Sequence, residues 1–217
     1  MDLSPSEIRV AACLVEKQRT TPDAYPLSLN ALRLACNQAT SRDPVMGLGD
    51  QEIREALERL HRRGWTRLAS TSGSRTMKYR HLMDRELSLD TPELSVLAVL
   101  MLRGPQTSTE LHTRAERLHR FASVTDVDGA LEALAGRGLA ELTARQTGQR
   151  GQRWRHLLGR EAGGAQPDRE SGEHRSKTSE ERSDPPTASG SRDQDRSLEQ
   201  RVADLEVQVA ALRRLGE

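Results

Sequence analysis

The residue types best suited to catalysis or metal binding are two cysteines and six histidines. Cys13 and Cys36 fall on predicted helices without the Cys-x-x-Cys spacing of a redox or zinc site, so we expect small buried thiols in a reducing compartment. His112 and His119 stand seven residues apart and could share one face of a helix as ligands, but we expect them on a solvated helix without such a role. The chain shows no nucleophile–base set, metal spacing or phosphate-binding glycine loop. We therefore predict that it is not an enzyme and has neither cofactor nor metal.

Basic side chains offer a different chemistry, because lysine and arginine can bind DNA phosphates. Candidates lie on a predicted helix and on the predicted hairpins: Arg54, Arg67, Arg75, Lys78, Arg80, Arg145, Arg150, Arg153 and Arg155. The whole chain carries 33 Lys and Arg against 32 Asp and Glu, a net charge of +1. This balance lacks the strong basic footprint of a dedicated nucleic-acid binder, so total charge alone names no partner.

A polar stretch before the third predicted helix is the other candidate site. It contains Asn30, Asn37, Gln38 and Arg42. No predicted helix or strand requires this set, so one interpretation is an interaction surface. The alternative is structural: the side chains would cap the second helix and tie the long loop after it to the body, since Asn suits a helix C-cap. The residues themselves leave both interpretations open.

The elements that position these residues occur twice along the chain. Ser4-Pro5 opens a helix with Glu7 in a capping box, and Thr91-Pro92 opens its second copy. In both copies apolar residues follow at helical spacing. A second helix is predicted to begin near Ser28 in the first copy and at Thr107 in the second.

The third helix gives the closest match between the copies. Ile53, Ala56, Leu57 and Leu60 recur 74 residues later as Val127, Ala130, Leu131 and Leu134. We expect the first of these helices to begin at Asp50 and the second at Asp126. Gly64 and Gly138 follow their last turns, where a left-handed C-cap needs no Cβ.

A β-hairpin is predicted after each third helix. Its strands are residues 65–69 and 77–82 in the first copy, and residues 139–143 and 153–157 in the second. The return strand 78–82 reads Lys-Tyr-Arg-His-Leu, and 153–157 reads Arg-Trp-Arg-His-Leu. Strand alternation places Tyr79 and Trp154 in the cores while the basic side chains face water.

Three helices closed by a two-stranded hairpin describe a winged helix, with the third helix in the recognition position and the hairpin as the wing. The predicted fold class is α+β, mainly α, with two tandem winged-helix domains and a C-terminal coiled-coil helix. The predicted domains are residues 1–88 and 89–158.

Residues 159–196 are predicted to be a disordered linker, because they contain almost no apolar side chains. Residues 197–217 are predicted to form a short coiled coil. Its seam steps by four and three residues through Leu198, Val202, Leu205, Val209 and Leu212. A helix this short needs a partner, which we expect to be a second copy in a homodimer, with a partner protein as the alternative.

The sequence also indicates a cellular compartment. Met1-Asp2-Leu3-Ser4 lacks the basic and apolar regions of a signal peptide. The longest apolar run, 94–102, is about half a membrane span. We therefore expect a cytoplasmic protein with no membrane contact.

The long polar stretch of the first copy resembles the YceH-like family of uncharacterised bacterial proteins. The residues that carry the resemblance are Glu16-Lys17-Gln18, Thr20-Thr21-Pro22, Tyr25-Pro26-Leu27, Ala35-Cys36-Asn37-Gln38 and Arg42-Asp43-Pro44-Val45-Met46. The resemblance covers residues 3–158 and the C-terminal coil, and it implies a pair of winged-helix domains with no established activity. This chain departs from the family pattern at Ala39, where a lysine is expected, and in its longer, more polar linker.

Two functions follow from these predictions. The first is DNA binding or transcription regulation, since winged helices most often bind DNA and a dimerising coil suits a two-fold operator of double-stranded DNA. The alternative is a protein-interaction scaffold resembling chromosome-segregation adaptors, an analogy of fold alone. Asp50 and Asp126 open the third helices, where carboxylates repel phosphates, although acids also suit helix N-termini.

Overall fold

A computed structural model describes residues 2–69, 76–144 and 151–159. Arg75, Arg145 and Arg150 lie outside the described residues. So do all but the first residue of the predicted linker, and the whole predicted coiled-coil seam of Leu198, Val202, Leu205, Val209 and Leu212. The described part is a mainly helical α+β structure with small sheets.

The first repeat runs from the N-terminus to a short helix that joins it to the second. Its elements are α1 (Pro5–Thr20), a 3-10 turn (Pro22–Ala24), β1 (Leu27–Ser28), α2 (Leu29–Cys36), α3 (Asp50–Arg62), β2 (Thr66–Ala69), β3 (Lys78–His81) and the connecting α4 (Met83–Glu86). The helix beginning near Ser28 and the one beginning at Asp50 are confirmed.

The second repeat contains three helices and a hairpin in the same order. Its elements are α5 (Thr91–Arg103), α6 (Ser108–Ala115), α7 (Val124–Gly136), β4 (Ala140–Leu142) and β5 (Trp154–His156). The capping box of Thr107 with Glu110 is confirmed. The predicted start of α7 at Asp126 is wrong, because Ser123 caps the helix and Asp126 closes the capping box from the third position.

Both predicted hairpins form, with matching registers. In the first, Thr66 pairs with His81 and Leu68 with Tyr79. In the second, Ala140 pairs with His156 and Leu142 with Trp154. Each aromatic residue therefore lies opposite a leucine at the same place in its repeat.

One strand was not predicted. β1 pairs antiparallel with β3, so the first sheet has the order β1-β3-β2 with Leu27 opposite Tyr79. In the second repeat Gln106, just before α6, forms an isolated bridge with Trp154. A two-residue strand has no periodicity that a sequence could reveal.

The helices α1 and α5 lie at the centre of the core. Every residue of 7–15 in α1 and of 94–102 in α5 is buried. Each central helix packs against the other one and against the helices of its own repeat. One continuous hydrophobic core therefore spans both repeats, while the domain boundary between residues 88 and 89 stays a prediction.

The glycine after each third helix has the predicted left-handed backbone, with φ of 79° at Gly64 and 67° at Gly138. Gly138→Ala should lower the free energy of unfolding by about 1 kcal/mol, because a Cβ is strained in this conformation. Urea denaturation measures the loss.

Gly129→Ala is the matched variant, since Gly129 lies inside α7 with open space where a Cβ would be built. It should raise the free energy of unfolding by roughly 0.5–1 kcal/mol through helix propensity. If the two variants shift stability in the same direction, backbone conformation does not determine the effect.

Candidate interaction surfaces

Arg42, predicted on an interaction surface, is enclosed by the protein. Its side chain is 0% exposed, and its Nη1 and Nη2 donate to the two carboxylate oxygens of Glu16 at 3.1 and 2.5 Å. Nε and Nη2 also donate to the carbonyl of Ala35, and Nη2 to Oε1 of Gln38. Burial alone would lower the pKa of Arg42, but the hydrogen bonds to Glu16 raise it. The guanidinium thus remains charged while tying the loop to α1.

The loop between α2 and α3 is held by two more side chains. The Asn37 amide donates to the Leu48 carbonyl at 2.9 Å and accepts from the Leu48 N–H at 2.8 Å, which closes the loop on itself. Arg9 of α1, also buried, donates to the carbonyls of Cys36 and Pro44. The burial of Arg9 was not predicted, because an arginine side chain is normally expected to face solvent.

The polar stretch therefore divides into two groups. Arg42 and Asn37 have the structural role that was the alternative interpretation, and Arg42 is not accessible to a partner. Asn30 is exposed and accepts a hydrogen bond from Arg33, and Gln38 is half-buried beside Arg42. A contact role for Asn30, Asn37 and Gln38 stays a prediction.

The first hairpin presents a cationic face. Arg67 lies directly opposite Arg80, and Lys78 is two residues from Arg80, so the three side chains share one face of the sheet. Arg67 is exposed, while Lys78 and Arg80 are half-buried. Arg54 is exposed on α3. The three hairpin candidates for DNA contact therefore lie together, and Arg54 belongs to the same repeat.

In the second hairpin the corresponding arginines are neutralised. Arg155 lies opposite Glu141, and its guanidinium forms a salt bridge to that carboxylate at 2.5 Å. Arg153 donates to Oε2 of Glu110 at 2.9 Å and to the carbonyl of Pro105. The difference was visible in the sequence, because Glu141 occupies the position that Arg67 has in the first repeat.

The third helices also differ in charge. α3 carries exposed acids and bases, including Arg54, Arg59 and Arg62. α7 contains no lysine or arginine, and its charged residues are Asp126, Asp128 and Glu132. The surfaces of the two repeats are therefore not electrostatically equivalent.

The cysteines lie in the core, as predicted, and His81 of β3 lies there too. Cys13 and Cys36 are buried, with free thiols. His81 is buried, and Nε2 bonds to Oε1 of Gln18 at 2.5 Å. Burial lowers the pKa of His81 to about 4. His119 packs edge-on against Phe121, at a ring-centroid distance of 4.6 Å.

Comparison with known proteins matches this chain to a family of unknown function and to bacterial relatives. A family model described as "protein of unknown function, DUF480" matches residues 3–152. A UPF0502 protein of Pseudomonas aeruginosa is 50% identical over 160 residues, which cover 74% of this chain and 72% of that protein. A UPF0502 protein of Pelobacter propionicus is 43% identical over 217 residues, covering 99% and 95% respectively. Within the described ranges, no helix combines the length and apolar character needed to cross a membrane.

Proposed function

The chain belongs to the DUF480 family of proteins of unknown function, and from its own surface we propose that it is a protein-interaction module built from two winged-helix repeats. The order of three helices and a hairpin in each repeat supports the winged-helix assignment. In this arrangement α3 and α7 occupy the recognition position and the two hairpins are the wings.

The observation that carries this proposal is the charge of α7. A helix that enters a DNA groove contacts bases and phosphates through Arg, Lys, Asn or Gln. α7 has none of these residues, and Asp126 and Glu132 are exposed on it. Phosphates would be repelled from this surface, whereas a partner protein with a basic surface would be attracted.

The second wing supports the same conclusion. Salt bridges to Glu141 and Glu110 already occupy Arg155 and Arg153. Moving these arginines to phosphates would leave two carboxylates facing the DNA. Leu142, 43% exposed on the same hairpin, offers apolar contact area beside these charges. Acidic and apolar groups together suit a protein partner with basic and apolar side chains.

The first repeat supports a second candidate function, DNA binding. Its cationic hairpin face of Arg67, Lys78 and Arg80, with Arg54 on α3, could contact phosphates. The opposite hairpin face carries exposed Leu68 and Met77, at 51% and 59%, which suit a protein better than a phosphate backbone. For this reason we favour the protein-interaction module over DNA binding.

The predicted C-terminal coil enters the proposal through its sequence pattern. Leu198, Val202, Leu205, Val209 and Leu212 would join a second copy into a homodimer and present two modules to a partner. Two linked modules bind more tightly than one when both reach their sites.

A titration of random DNA duplex with the full chain separates the two functions. If the chain is a protein-interaction module, we expect no saturable binding of the duplex to it at low salt. Tight binding that weakens steeply as salt rises would indicate phosphate contacts and overturn it. Loss of that binding in Arg67→Ala would assign the contact to the first hairpin.

Affinity capture from bacterial lysate tests the interaction surface directly. Glu132→Lys on α7 should abolish capture of the partner, because it reverses the charge of the proposed surface. Glu58→Lys, at the equivalent position of α3, is the matched control and should retain the partner. Deletion of residues 197–217 should weaken capture without changing which proteins are bound. Equal capture by wild type and Glu132→Lys would rule out α7 as the contact.

A further inference from the structure

A cleft of about 590 Å³ lies where the two repeats meet. Its walls are the C-terminal end of α1, the loop residues 38–41, α5 and α6. Small-molecule sites in proteins are typically clefts of roughly 300–1,000 Å³ that combine an apolar surface with a few polar groups. The size of this cleft therefore suits a ligand of mononucleotide size.

The lining of the cleft is strongly cationic. Lys17, Arg103, Arg114 and Arg117 line it, and the one carboxylate among the described lining residues is Glu16. Both oxygens of Glu16 already accept hydrogen bonds from Arg42, and the Lys17 ammonium lies 3.7 Å from one of them. Arg114 also lies 3.5 Å from Glu110, which compensates part of its charge. The remaining positive charge makes the cleft attractive to an anion.

Arg103 shows how closely these charges are grouped. Its pKa is lowered, first by burial and then by the neighbouring Arg114 and Arg42. Its Nη2 donates to the Ser41 hydroxyl at 2.5 Å, and Ser41 has a left-handed backbone with φ of 61°. Because this hydroxyl oxygen accepts from Arg103, its own hydrogen can be donated to a ligand.

Apolar side chains line the cleft between the cations. Leu118, half-buried after α6, offers the larger apolar contact, because Val99 and Leu102 of α5 are only 3% and 2% exposed. Such a surface would favour the uncharged part of a ligand over bulk water. Bare phosphate would satisfy the arginines but leave this area unused.

We propose that the cleft between α1, α5 and α6 binds a small organic phosphate, a phosphomonoester whose apolar or planar body packs on Leu118. Guanidinium groups bind phosphate oxygens through paired, charge-assisted hydrogen bonds. Arg103, Arg114 and Arg117 would hold the phosphate, with Ser41 as an additional donor. The ligand would contact both repeats, and this inference does not depend on the proposed function.

Isothermal titration of the full chain with adenosine monophosphate, inorganic phosphate and adenosine tests the proposal. Adenosine monophosphate should bind more tightly than inorganic phosphate, and adenosine should not bind measurably. No binding of adenosine monophosphate, or equal binding of it and adenosine, would overturn the proposal. Equal affinity for adenosine monophosphate and inorganic phosphate would overturn the part assigned to the apolar surface.

Variants locate the site. Arg103→Ala and Arg117→Ala should each weaken adenosine monophosphate binding by roughly tenfold, as expected for the loss of a charge-assisted hydrogen bond. Ala39→Lys should strengthen binding, because Ala39 is exposed on the cleft wall.

Arg120→Ala is the matched control, since Arg120 is exposed outside the cleft. The affinity of Arg120→Ala for adenosine monophosphate should stay within about twofold of the wild-type value, because an exposed charge contributes little. Unchanged affinity in both Arg103→Ala and Arg117→Ala, or an equal loss in Arg120→Ala, would overturn the site. Near-UV circular dichroism establishes that each variant is folded.

Discussion

Replacing Arg42 with alanine is expected to lower the free energy of unfolding by about 3 kcal/mol. The side chain is fully buried and makes hydrogen bonds to Glu16, to the Ala35 carbonyl and to Gln38. Removing one partner of a buried ion pair leaves the other charge without compensation, which typically costs about 3–5 kcal/mol. We expect a loss at the lower end of this range, because the Glu16 side chain is 13% exposed and its carboxylate lies 3.7 Å from the Lys17 ammonium.

Urea denaturation at neutral pH measures this loss. Arg33→Ala is the control, because the Arg33–Asp50 pair is exposed on both sides and should contribute less than about 1 kcal/mol. In a double-mutant cycle, the Glu16→Gln/Arg42→Met double variant should lose less free energy of unfolding than the sum of the losses in the two single variants. A loss below about 1 kcal/mol in Arg42→Ala would mean that the buried pair does not stabilise the loop.

The chemistry of the helix ends could be predicted from the sequence because it is local. Ser4 with Glu7, and Thr107 with Glu110, are capping boxes in both the sequence and the structure. Gly64 takes the left-handed conformation expected after α3. Each of these features depends on residues fewer than five positions apart, so neighbouring residues contain the whole signal.

Features that depend on distant residues were not predictable in the same way. Arg42 reads as a surface cation until Glu16, 26 residues earlier, is placed beside it. The burial of every residue of 7–15 in α1 follows from its packing on α5, which no periodicity within α1 reveals. The Arg155–Glu141 pair was partly predictable. The repeat alignment and the hairpin register together place these two residues opposite each other.

The candidate site was less predictable than the fold for the same reason. The cleft draws Lys17 from one repeat and Arg103, Arg114 and Arg117 from the other. Nothing in their sequence spacing suggests one site, because α1 and α5 must pack together before these cations approach each other.

The second large effect is expected from pH. Lowering the pH from 8 to 5 should reduce the free energy of unfolding by about 2 kcal/mol through His81 alone, and by about 3 kcal/mol at pH 4. The His81 pKa is about 4 in the folded protein, because burial opposes the charged form, against an ordinary value of 6.5. Between these values the unfolded chain binds the proton and the folded protein does not, so stability falls as pH falls. The loss begins near pH 6.5 and levels off below pH 4.

The surroundings of His81 explain why the folded protein holds it neutral. Oε1 of Gln18 can only accept, so Nε2 carries the hydrogen and Nδ1 is the atom that acid would protonate. Nδ1 is buried without a hydrogen-bond partner among the described residues, 3.8 Å from the Asp84 carboxylate. Asp84 raises the pKa, but Arg19 and Arg80 add to the lowering by burial. Asp84→Asn should therefore make the protein more sensitive to acid.

Comparison with His81→Gln isolates this residue from other groups that titrate in acid. Glutamine has an amide that could donate to Gln18, and the backbone N–H of residue 81 would still donate to the Tyr25 hydroxyl. Urea denaturation measures the free energy of unfolding of both proteins at pH 8, 5 and 4. Between pH 8 and pH 4 this free energy should fall by about 3 kcal/mol more in the wild type than in the variant. Nuclear magnetic resonance of the imidazole gives the pKa directly. A His81 resonance titrating near 6.5 in the folded protein, or parallel stability curves for the two proteins, would show that burial of this histidine is not linked to folding.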